Sequence, residues 1–119
     1  MIRLVDTSVW VYHLARGDAE LVALLEAGEV FMHPFVLAEI ALGSLRDRGA
    51  LLAELGRLPQ APVATHEEVL TAIDTHRLYG SGLGYVDAHL IASALLSAEA
   101  RLLTRDRRLA EAAARLGIA

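Results

Sequence analysis

Apolar positions along this chain come in two kinds: short solid runs, and longer stretches where they recur every three or four residues. Ile2–Val5 is a short run closed by an acid, Asp6, and reads as a buried strand. Residues 7–14 begin a helix with Asp6 or Thr7 as its cap. From 18 to 27 the spacing of Leu21, Leu24 and Leu25 is helical, and Gly28 is a natural stop. Residues 30–32 form a second strand, and Pro34, suited to a first helical position, opens a strongly apolar helix running from 35 to about 45. Residues 48–58 are amphipathic and end at Pro59, after which 62–64 form a third strand. The spacing of Val69, Ile73 and Leu78 predicts a helix over 66–79, with Glu67 and Glu68 suitably placed in its first turn. A glycine-rich loop, 80–84, leads to a helix over 85–98, a strand over 101–104 and a last helix over 107–116. Residues 117–119 start a fifth strand.

Strands alternating with helices imply a parallel sheet with helices on both faces, and such sheets bind ligands beyond the carboxyl ends of their strands. No internal repeat, linker or low-complexity segment interrupts the pattern, so one α/β domain over residues 1–119 is expected. The chain is 55% hydrophobic, which argues against disorder. It has no apolar run of about 18 residues and no signal-peptide pattern at its start, so a soluble, cytoplasmic protein without membrane contact is expected. No cysteine is present, which excludes thiol nucleophiles, disulfides and thiolate zinc sites. All 11 basic residues are arginine, so phosphate loops that require lysine and Schiff-base chemistry are excluded as well.

Four acids stand where ordinary patterning does not require them. Asp6 and Asp106 follow apolar strands, and both could cap the next helix. Glu39 shares a helix face with Phe35, Val36 and Leu42, where a lone buried carboxylate costs several kcal/mol unless it is paired, protonated or bound to a cation. It could equally sit at a helix edge and point to water. Asp87 leads a face continued by Leu90, Ile91 and Ala94, or serves the first turn of its helix electrostatically. Capping does not explain the recurrence of acids at two strand ends and on two apolar faces, which a parallel sheet can bring together. Two carboxylates about 4 Å apart repel by roughly 4 kcal/mol at an effective dielectric near 20, so such a group needs protons or a metal. An all-oxygen set suits magnesium or manganese, and the five histidines show no zinc spacing. The chemistry this predicts is metal-assisted phosphodiester hydrolysis.

The stretches "LVDTSVW", "HPFVLAEIALG", "GYVDAHLIASALL" and "LLTRDRRL", in that order and spanning essentially the whole chain, resemble the PIN-domain ribonucleases, and within them the VapC-type toxins of type II toxin-antitoxin pairs. The resemblance implies a three-layer α/β/α sandwich whose parallel sheet has four to five strands in the order 3-2-1-4-5. It places the acidic site on Asp6, Glu39, Asp87 and Asp106, and the hydroxyl that orients the first aspartate on Ser8 or Thr7, Ser8 being the better match. One or two magnesium or manganese ions, an RNA substrate, a homodimer and a small VapB-type antitoxin whose tail blocks the site are further implications. Many family members carry Ser or Thr where Gly84 stands.

A net charge of -4 is unusual for a nucleic-acid binder, but without the four acids 11 acidic residues face 11 arginines. Arg105, Arg107 and Arg108 flank Asp106 as candidate RNA contacts, or simply form a solvated helix start. His89, two residues from Asp87, points away from its helical face, His33 reads as a turn residue, and Trp10 and Tyr12 suit packing better than base stacking. Competing functions are a PIN-like nuclease of RNA processing, an aspartate-based phosphatase, and a non-catalytic binding module. The phosphatase pattern wants an acid where Ser8 stands.

Overall fold

The computed structural model describes residues 1–119. Three parallel strands, β1 (Ile2–Val5), β2 (Val30–Phe31) and β3 (Ala100–Leu103), form a sheet in the order β2-β1-β3. Around it lie α1 (Thr7–Arg16), α2 (Ala19–Glu26), α3 (Pro34–Ala41), α4 (Arg48–Gly56), α5 (His66–Thr75), α6 (Tyr85–Leu96) and α7 (Arg107–Arg115). Successive strand side chains point to opposite faces, yet Leu4 and Val5 are both wholly buried. Both faces of the central strand are therefore covered, as a parallel sheet requires.

The expected four to five strands are corrected to three, for two different reasons. At the β2 edge, Met32 N donates to Pro59 O and Ala61 N donates to Met32 O, each at 2.8 Å, which makes one isolated parallel bridge between Met32 and Gln60. The next bond of the ladder would run from residue 34 N to Ala61 O, but Pro34 has no N–H and already opens α3, so 62–64 is not a strand. At the β3 edge, Ile118 O accepts from Leu102 N at 2.7 Å, but Ile118 N is already taken by Ala113 O at 2.9 Å. That bond, with Gly117 N to Ala114 O and a left-handed Gly117, closes α7 in a Schellman motif. Residue 118 thus caps a helix with one backbone group and meets the sheet with the other.

The same motif corrects the length of α5. It ends at Thr75 rather than near 79, because Arg77 adopts a left-handed conformation, Leu78 N bonds Ile73 O and Arg77 N bonds Asp74 O. An arginine at the position usually held by glycine hid this stop from the sequence. The other end of α5 is legible: Thr65 and Glu68 form a reciprocal capping box. Helix α3 stops at Ala41, four residues short of expectation.

Candidate active site

The carboxyl edge of the sheet collects residues from four elements. Asp6 continues β1, with its backbone N–H donating to Leu103 O at 2.9 Å. It stands at the N-cap position of α1, yet its carboxylate makes no capping bond. Instead Asp6 Oδ2 accepts from Ser8 Oγ at 2.6 Å and from Thr104 Oγ1 at 2.8 Å, in a setting that leaves the residue 6% exposed. These hydroxyls offset the cost of burying the charge. They also receive backbone donors, Arg105 N on Ser8 Oγ at 3.0 Å and Asp106 N on Thr104 Oγ1 at 2.9 Å. The end of β1 is thereby tied to the loop between β3 and α7.

Glu39 lies exposed on α3, and its Oε1 accepts from Thr7 Oγ1 at 2.6 Å. Ser8 and Thr7 thus serve different acids. Asp87 is the third residue of α6, and its Oδ2 accepts from Gly84 N at 2.9 Å. Asp106 is the N-cap of α7, where Oδ1 accepts from Leu109 N at 3.0 Å. Each carboxylate therefore has one oxygen anchored to the protein, while Asp6 Oδ1, Glu39 Oε2, Asp87 Oδ1 and Asp106 Oδ2 hold no hydrogen bond within it.

The charges of three of these acids reach the fourth. The Asp87 carboxyl is raised above its ordinary pKa of 3.8, first by burial and then by the negative charges of Asp6, Asp106 and Glu39, against the lowering effect of the Gly84 N–H. No three Asp, Glu or His side chains lie close enough to grip one ion as they stand. The donor set nonetheless fits a hard divalent cation: four carboxylates, each with a free oxygen, gathered at one sheet edge without a lysine or arginine paired to any of them.

The arginines divide by environment. Arg105 lays its guanidinium 3.7 Å from the centre of the Tyr12 ring. Arg107 pairs with Glu111 at 3.2 Å, and Arg108 lies against Gly82. Thr104 is the site residue that sequence reasoning missed; its signal is a hydroxyl directly behind an apolar strand and two residues before an acid, in "LLTRD". Trp10 is in the core, as packing suggested. His89 is buried, its Nε2 3.0 Å from Tyr85 Oη and its ring against Phe35. His33, read as a turn residue, is the fully buried N-cap of α3.

Residues 3–115 match the PIN domain family, and the chain belongs to it. Within that family it groups with the VapC-type ribonucleases: it is 52% identical over 116 residues to Ribonuclease VapC32 of Mycobacterium tuberculosis, from strains CDC 1551 / Oshkosh and H37Rv alike. The match covers 98% of this chain and 94% of each relative. No helix is long and apolar enough to cross a membrane.

Proposed function

We propose that this chain is an endoribonuclease that hydrolyses RNA phosphodiester bonds with magnesium or manganese, as the toxin of a toxin-antitoxin pair. The observation that carries the reading is the arrangement of Asp6, Glu39, Asp87 and Asp106, each anchored through one oxygen with the other left free. These residues would hold one or two cations, which supply activation of water and neutralisation of phosphate charge. In the reaction the water oxygen bonds to phosphorus, the bond to one ester oxygen breaks, and that oxygen takes up a proton. Ser8 and Thr104 fix the direction of the Asp6 carboxylate, and Thr7 does the same for Glu39. Asp87 is held by the Gly84 backbone at the mouth of α6. No side chain forms a covalent intermediate in this scheme.

The near relatives carry the name ribonuclease VapC, which supports RNA as substrate and a VapB-type antitoxin as partner. A homodimer, a cytoplasmic location and a single functional domain over 1–119 complete the proposal. Asp87→Asn retains an oxygen that can accept from Gly84 N but removes one negative charge from the group. RNA-end sequencing after controlled expression should show new ends with the wild type, and purified Asp87→Asn should cleave RNA about a hundredfold more slowly or worse. Undiminished cleavage by that variant would overturn the assigned site.

A further inference from the structure

Beside the acids the surface opens into a hollow of about 530 Å³ with no hydrophobic lining residue, bounded by Gly82, Asp106, Arg107, Arg108 and Glu111. Arg107 and Glu111 are one helical turn apart and pair with each other. Arg108 has no carboxylate within ion-pair distance and no hydrogen bond to the protein. It lies across Gly82, which has a φ of +80°, and a β-carbon at 82 would stand 2.8 Å from Arg108 Cζ and 3.0 Å from its Cδ. Only glycine leaves the guanidinium in that place. Asp106 lines the same hollow with an unbonded Oδ2, having turned Oδ1 to Leu109 N.

We infer that this hollow receives a backbone phosphate of the RNA adjacent to the one being cut, with Arg108 as its cationic contact and Gly82 as the residue that keeps Arg108 in place. The inference rests on the nuclease reading, because Asp106 belongs to both the hollow and the proposed cation site. Planar guanidinium donors match the two unbridged oxygens of a phosphodiester. The hollow also lies at the start of α7, where the helix dipole favours an anion. Its four charged residues, two acids and two arginines, cancel. Arg105 plays no part here, since Tyr12 holds its guanidinium.

The test uses a fluorescein-labelled single-stranded RNA of mixed sequence, bound to the full chain on the Asp87→Asn background with magnesium present. Arg108→Gln should weaken binding roughly threefold to tenfold and reduce the slope of log affinity against log salt by about 0.7. Arg16→Gln, the same charge change at the far end of α1, should leave both within error. Gly82→Ala, which pushes the guanidinium aside while keeping its charge, should weaken binding without that loss of slope. With Asp87 intact, Arg108→Gln should raise KM and leave kcat within about twofold. Equal behaviour of the Arg108 and Arg16 variants would overturn the subsite even if the wild type cuts RNA. Binding that depends on Arg108 in a wild type that cuts no RNA would keep the subsite and remove the nuclease reading.

Discussion

His33 shows how a single side chain can set a pH dependence. Its Nδ1 accepts from Phe35 N at 3.0 Å, so the neutral ring carries its hydrogen on Nε2, which is buried without a protein partner. Burial, and secondarily the charge of His89, lowers its pKa from 6.5 to about 4. The unfolded chain therefore binds a proton from about pH 6.5 downward, while the folded chain resists until about pH 4. This group's contribution is present above that window and lost as pH falls through it, about 3 kcal/mol in all. His33→Asn keeps a capping acceptor for Phe35 N and should flatten the unfolding free energy measured by urea between pH 6.5 and 4. Parallel profiles for the two proteins would refute the assignment. At this scale the sequence drew notice to Glu39 because an acid breaks the apolar pattern of its helix, and the structure places it on the exposed side, the water-facing alternative that the same pattern allowed. It could not choose between capping and site roles for Asp6 and Asp106, because both put an acid after a strand; in the structure Asp6 makes no cap and accepts from the hydroxyls of Ser8 and Thr104, while Asp106 caps its helix. Thr104 stayed invisible because a hydroxyl at a strand end is unremarkable until its partner is known.

Elements were legible where polarity has a period and obscure where backbone bonding decides. All seven helices were expected, and the errors lie at their ends, where Arg77 stops α5 and where α3 stops at Ala41. Helix α2 ends in the same way as α7: Glu29 N bonds Leu24 O, and Glu29 O accepts from Arg3 N. There the chain runs on as β2, whereas at residue 118 a single bond to β3 remains. The two missing outer strands should therefore respond differently to truncation. Ile118 belongs to the main core, so Ile118→Ala should cost about 2–4 kcal/mol and lower Tm by roughly 10 °C. Val63, in the expected third strand, is half exposed, and Val63→Ala should cost less than about 1 kcal/mol. Thermal melts of the two variants check this, and similar shifts would mean that residue 118 does not anchor the sheet edge.

For the molecule as a whole, the formal charge of -4 equals the charge of the four candidate acids, since the remaining 11 acids balance 11 arginines. On the proposed reading these four charges lie at one sheet edge, where they would favour a bound cation and oppose the cation-free fold. The sign follows from Asp87: its folded pKa lies above the unfolded value, so the folded state binds the extra proton and stability falls as pH rises through that interval. At neutral pH the ionised group opposes folding. In chelator-treated protein, Asp87→Asn should then melt at a higher temperature than the wild type. Added magnesium or manganese should reverse the order, because a ligand that binds only the folded state at ten times its Kd contributes about 1.4 kcal/mol, or roughly 4 °C for a chain of this size. The variant, with one acid fewer and less repulsion to relieve, should shift far less over the same millimolar range. Scanning calorimetry across a metal titration reads both effects. A wild type that melts at one temperature with and without cation would show that these carboxylates do not form a metal site in the folded protein.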